Sequence, residues 1–251
     1  ACPTQDANFH FTTFTTAATF LQNLRFNQAS RPTRLLFRAG DQFTASQQTN
    51  LRALTAELLV GSYDSGNDPI ISVDPAMTAN SIFFIQDSSQ ITFTHVNFKG
   101  GYNPVTGLGD HVIAIWFYLA ISDALVYQSQ FSGLGMAIYP HGGANATSGA
   151  PSQFTMIVDN HITNWQDYGL FGTFGYLSSL LANTIKQDPN AVSGSEGKCG
   201  TCTTNFADHG PLRAGYSDHL LIQYNDMFNN AGWSSGGLAH QPNIRLGTGG
   251  T

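Results

Sequence analysis

The sequence predicts an all-β protein: a parallel β-solenoid forming one domain over residues 1–251, with a short helix closing its N-terminal end. Three observations carry that expectation. Charged residues make up only 10% of the chain while Gly numbers 26, Phe 18 and Tyr 9; such a mixture favours short strands joined by tight turns. A helical bundle would draw on more Glu, Lys and Ala. An apolar alternation ending in Asn-x-apolar, or a near variant, recurs along the chain. Ahead of each recurrence sits a shorter strand-like piece. Units that cannot bury their own apolar face must stack on the next, so a fixed repeat without intervening helices reads as stacked coils.

Taken from the N-terminus, "TTFTTAATFLQNL" (12–24) sets Phe14, Ala17, Ala18, Leu21 and Leu24 near helical spacing with Thr available as N-cap. We read 12–27 as a helical cap, because an open terminal coil exposes both core and strand edges. "TRLLFRAGDQF" (33–43) and "ELLVGSYDSGNDPIIS" (57–72) form the first coils.

The repeat proper follows. Its longer strands are "QITFTHVNF" (90–98), "ALVYQSQF" (124–131), "FTMIVDNHI" (154–162), "LSSLLANTI" (177–185) and "LLIQYNDMF" (220–228), turning at Val96, Ser129, Asn160, Asn183 and Asn225. The shorter pieces are "SIFFI" (81–85), "AIWFY" (114–118), "MAIY" (136–139), "GLFG" (169–172), "PLRA" (211–214) and "NIRL" (243–246). The shortest period is the 23 residues from Asn160 to Asn183, and longer spacings mark insertions at 100–112, 139–152 and 187–210. An Asn buried at each coil corner bonds its amide to the Asn above and below, which satisfies groups that are otherwise costly to bury. Leucine-rich repeats are the runner-up, but their L-x-x-L-x-L spacing is absent.

Net charge is −6 with ten Lys plus Arg in no run, so the footprint of a nucleic-acid binder is missing. No apolar segment reaches the roughly 18 residues of a membrane span. The opening "ACPTQDANF" reads as a mature product left after removal of a secretory signal, and the expected location is secreted or periplasmic. Cys199 and Cys202 in "CGTC" are a loop staple or, with His209, part of a zinc site lacking a nameable fourth ligand.

"LLFRAGDQF", then "GSYDSGNDPII", then the Asn-x-apolar coils resemble the start of bacterial right-handed parallel β-helix proteins of the pectate-lyase-like superfamily, a likeness covering nearly the whole chain. The resemblance implies a single-stranded right-handed β-helix and a polysaccharide as partner. Its members include lyases, hydrolases, epimerases and proteins without known activity. Lyases of this kind often use calcium, but the chain has no aspartate cluster for the ion, so no cofactor is predicted and calcium stays open through the resemblance alone. The lysine–arginine pair of such lyases has no match here either.

Alternation in the short strands turns Arg213 and Arg245 outward, since Leu212, Ala214, Ile244 and Leu246 point inward. The shared local pattern puts both arginines in one column on successive coils, about 5 Å apart. Two guanidiniums that cannot shed a proton need an anion between them: Asp208, Asp218 or a sugar carboxylate held bidentately. The column is expected to continue through Phe171, Tyr118 and Phe84 as a strip of rings. His209 has the outward parity of Arg213, and Gln241 holds the matching place before Arg245. The sequence-level choice is therefore a lyase acting by β-elimination on a uronic acid. Arg213 and Arg245 neutralise the carboxylate, His209 or Tyr216 is the base, and Phe171, Tyr118, Gln241 and Lys186 bind substrate. The alternatives are a non-catalytic glycan-binding or surface protein, and a hydrolase drawing paired acids from Asp110, Asp159, Asp167, Asp208 and Asp218. Outward Leu125, Tyr127, Met156, Val158, Leu181 and Leu221 give the longer strands an apolar outer face suited to homo-oligomerisation.

Overall fold

The computed structural model describes residues 11–28, 32–103, 109, 111–141, 152–188, 210–228 and 244–247. They are mostly strand with one helix, and every strand pairing is parallel.

Helix α1 (Phe14–Gln28) begins where the sequence places its cap: Thr16 N donates to Thr13 Oγ1 at 3.2 Å. Its buried side includes Phe14, Ala17, Ala18 and Leu21. Phe14 meets Phe37 and Phe83 at ring-centroid distances of 6.1 and 5.8 Å, which plugs the core at this end.

The chain then circles three faces, in the order second, third, first. The opening circuits are β1 (Thr33–Arg38), β2 (Gln42–Ala45) and β3 (Thr49–Arg52), then β4 (Leu58–Tyr63), β5 (Ile70–Val73) and the first half of β6 (Ser81–Thr94). Strand β6 bends at a register shift between Gln86 and Ser88 and continues onto the second face. Next come β7 (Asn97–Lys99), β8 (Ile113–Tyr127), which also spans two faces, and β9 (Gln130–Ser132). The circuits finish with β10 (Met136–His141), β11 (Gln153–Val158), β12 (His161–Thr163), β13 (Tyr168–Tyr176), β14 (Ser179–Leu181), β15 (Thr184–Lys186), β16 (Gly210–Asp218), β17 (Leu221–Gln223), β18 (Asp226–Phe228) and β19 (Ile244–Gly247). Strands of the third face form a seven-stranded sheet, and the first two faces share a twelve-stranded one joined through the bent strands.

In-register pairing turns alternation into columns. Phe83, Ile115, Ile138, Leu170 and Leu212 fill the core from the first face; Phe93, Val126, Ile157 and Leu180 from the second; Ile71, Phe98, Phe131, Ile162 and Ile185 from the third, all 1% exposed or less. Each such side chain contributes about 1.5–3 kcal/mol of burial. The third column supplies the apolar residue that closes each Asn-x-apolar signature.

The turning positions form the expected ladder. Asn160 donates through its backbone N and its Nδ2 to Asn183 Oδ1, both at 3.0 Å, and Asn183 donates in the same two ways to Asn225 Oδ1, both at 2.9 Å. Ser129 N donates to Asn160 Oδ1 at 3.0 Å. The residue before each turn, from His95 through Gln128, Asp159 and Ala182 to Tyr224, has φ between 45° and 58°, so the corner is a left-handed residue followed by a buried amide. Serines serve the corner between the first and second faces: Ser152 Oγ accepts from Ile121 N at 3.2 Å, and Ser217 Oγ from Phe174 N at 3.2 Å.

Several strands run further than expected, and one was not expected at all. The strand ending at Tyr139 in the sequence pattern runs to His141, because Tyr139, Pro140 and His141 still pair with β8. Strand β3, unread in the sequence, pairs with β6.

Candidate functional site

The outward side of the first face carries one continuous feature. Arg213 pairs with Arg245 on the next strand and with Phe171 on the preceding one. Its guanidinium carbon stands 5.2 Å from the Phe171 ring centre, a distance at which a cation is attracted to the ring face. From Phe171 the column passes to Tyr139, Trp116 and Phe84, with successive centroid separations of 5.2, 5.6 and 5.1 Å. The steps follow the strand spacing of a parallel sheet.

A second column runs two residues further along the strands, through Arg52, Gln86, Tyr118, His141 and Thr173. Tyr118 stacks on His141 at 5.2 Å and 16°, and Trp116 on Tyr139 at 5.6 Å and 22°. These four rings form two stacked pairs side by side. Arg52, exposed, lies 5.9 Å from the Phe84 ring centre at the far end. The rings are half-buried, and burial raises the pKa of the Tyr139 phenol, with Tyr118 adding to the rise and Arg213 opposing it. The phenol therefore stays a hydrogen-bond donor at neutral pH.

Two polar atoms inside this quartet, Trp116 Nε1 and His141 Nδ1, are buried without a hydrogen-bond partner among the described residues. Buried polar groups are paired as a rule, and each exception calls for an explanation.

Tyr118 therefore belongs to the column next to that of Arg213, and Trp116 and Tyr139 occupy the intervening places. Lys186 stands on the third face, where its Nζ pairs with Asp226 Oδ2, away from the arginine column. For Arg245 and Tyr216 the backbone alone is described; His209, Gln241, Cys199 and Cys202 lie outside the described residues, as do Asp110 and Asp208. Of the candidate acids, Asp159 accepts from Gln128 Nε2 at 2.9 Å on the second–third corner. Asp167 pairs with His111 Nδ1 at 3.2 Å beside the root of an insertion. They occupy separate corners, so they do not form the acid pair a hydrolase needs. A shallow polar groove of about 470 Å³, lined by Asp68, His95, Gln128, Asp159 and His161, lies on the same corner as Asp159, again away from the rings.

The second face shows its expected apolar exterior: Leu125, Met156 and Leu221 share one outward column, and Tyr127, Val158 and Leu181 another. Met156 and Leu221 are 41% and 49% exposed. No group of three metal-ligating side chains occurs among the described residues, and no described helix is long and apolar enough to cross a membrane.

The insertions add a topological pointer to the first face. Those at 100–112 and 187–210 lead from the third face into it, and the described strand at His141 leads from it into the connection before Gln153. Long connections concentrate function on one side of a repeat stack. No family model, curated protein or solved structure matches the chain, so a function rests on the residues themselves.

Proposed function

We propose that the chain is a single right-handed parallel β-helix of the pectate-lyase-like kind and that its first face binds an extended polysaccharide. The observation that carries this reading is the ring column Phe84–Trp116–Tyr139–Phe171, running perpendicular to the strands with a guanidinium at its end. Aromatic faces offer apolar area to the C–H faces of sugar rings, while Tyr, Trp and His retain polar edges for hydroxyls. A continuous row of such rings fits an elongated ligand better than a compact one. Arg213, set beyond the last ring, supplies a charge-assisted contact for an acidic sugar.

The test is a calorimetric titration with neutral and acidic oligosaccharides. Trp116→Ala is expected to weaken binding up to about tenfold, since one aromatic pair is worth about 0.5–1.5 kcal/mol. An unchanged Kd sinks the reading.

A second reading, β-elimination on a uronic acid, draws on one specific observation: Arg213 and Arg245 are register partners. Two guanidiniums on adjacent strands would neutralise a substrate carboxylate, acidify the neighbouring C–H and let a base such as Tyr216 or His209 remove it as the glycosidic oxygen leaves. The product carries a conjugated double bond. If no uronan in a panel gains ultraviolet absorbance on incubation, this second reading is lost while binding is untouched.

A further inference from the structure

Resting on the glycan-binding reading, we infer that the first face selects a heteropolysaccharide whose acidic sugars are separated by an uncharged run, rather than a polymer of contiguous uronates. The charge layout of the two outward columns carries this. Arg52 marks one end of the rings and Arg213 the other, each set over a terminal phenylalanine at 5.9 and 5.2 Å. Between them, β8 and β10 present Trp116, Tyr118, Tyr139 and His141, and neither strand contains Lys or Arg.

A carboxylate lying over these middle rings finds no Lys or Arg on either strand to pair with. Placing a charge there removes its water without compensation. Contiguous uronates put such a group over every step of the ladder. Sparse acids avoid the cost, because only the ends of the bound segment need a counter-charge. From the strand of Arg52 to that of Arg213 the first face advances five strand steps, roughly 24 Å at about 4.8 Å each. The preferred ligand thus has acids separated by a few neutral sugars.

Three oligosaccharide probes of matched length separate the outcomes: a gellan fragment, which is linear with a single glucuronate per repeat; a homogalacturonan; and a neutral β-glucan. The gellan fragment should bind most tightly. Arg52→Ala and Arg213→Ala should each weaken it about 2- to 5-fold, the range of a solvent-exposed ion pair, and should weaken the neutral glucan less. If homogalacturonan binds as tightly as the gellan fragment, or if Arg52→Ala leaves the gellan Kd unaltered, the spacing inference is wrong and the glycan site survives. If none of the three probes binds, the glycan-binding reading fails and the inference goes with it.

Discussion

Two columns climb the same circuits of this chain, one inside and one outside, and their hydrogen bonding differs. At the corner between the second and third faces, Asn160 and Asn183 are 2% and 1% exposed, and each amide both accepts from the preceding rung and donates to backbone carbonyls or to the next Asn. On the first face, two buried polar atoms of the quartet Trp116, Tyr118, Tyr139 and His141 have no partner among the described residues. The amide column is closed on itself and explained by folding alone. The ring column is half-exposed on the outside of the stack, so core packing does not account for its outer surface.

The widest separation between the two columns should appear on replacing Asn183 with Ala. Asn183 Oδ1 receives both the backbone N–H and the Nδ2 of Asn160, and its own Nδ2 reaches Ile157 O at 2.8 Å. The truncation strands the buried backbone N–H of Asn160 and takes a donor from the Ile157 carbonyl, while Asn160 Nδ2 keeps Val126 O and Val158 O. Each unsatisfied group costs about 1–3 kcal/mol, so a loss of about 3 kcal/mol or more is expected in a urea titration. Glycan affinity of the folded fraction should not move, because Asn183 lies on the opposite side of the core from the rings. A stability change below about 1 kcal/mol would mean the ladder contributes no more than ordinary surface bonds.

The same contrast decides what was legible in the sequence. The Asn column was, because an inward polar residue at a fixed place in an apolar alternation has few other solutions; Asn160, Asn183 and Asn225 fall where they were expected. The partnership of Arg213 with Arg245 was legible for a similar reason, since identical local patterns enter register together. The ring column was read only in part. Alternation picks out Phe84 and Phe171, but it points to Tyr118 where Trp116 and Tyr139 stand in the column. Residues two apart on a strand share parity, so alternation shows which side a ring takes and not which column it joins. The column depends on where each strand bends, and insertions of unequal length erase that phase. Lys186 ends the strand that follows the Asn183 turn, which three corners per circuit carry onto the third face, away from the arginine column.

A smaller effect of opposite sign is expected at His141. In His141→Phe the stacked ring against Tyr118 is kept, and the buried Nδ1, which has no partner among the described residues, is removed. Relief of an unsatisfied polar atom should raise stability by about 1 kcal/mol, while affinity for a hydroxyl-bearing ligand falls. Thermal unfolding and a binding titration on the same variant check both halves. A histidine that merely braces the fold would lose stability on replacement, so a lower melting temperature would return the ring column to the class of the Asn column.

The smallest effect tests the corner between the first and second faces, where side-chain identity varies from coil to coil. Gln90, Asp123, Phe154, Leu177 and His219 all have positive φ, 52–59°, and they share only that backbone conformation. Leu177, with φ 52° and 41% exposure, is the clearest case, since a bulky residue gains nothing from the left-handed region and little from burial there. The left-handed conformation costs a non-glycine residue roughly 1–2 kcal/mol, and glycine returns about 0.5–1 kcal/mol of that as greater freedom in the unfolded chain. Leu177→Gly should therefore stabilise the protein by about 0.5 kcal/mol, read as a higher urea midpoint at unchanged slope. This corner would then be a backbone device that tolerates any side chain, unlike the Asn turn across the core. A loss of stability instead would show that the Leu177 side chain is held in its strained conformation by a contact worth more than the strain, making this corner, like the rings beside it, a place where the stack alone does not choose the residue.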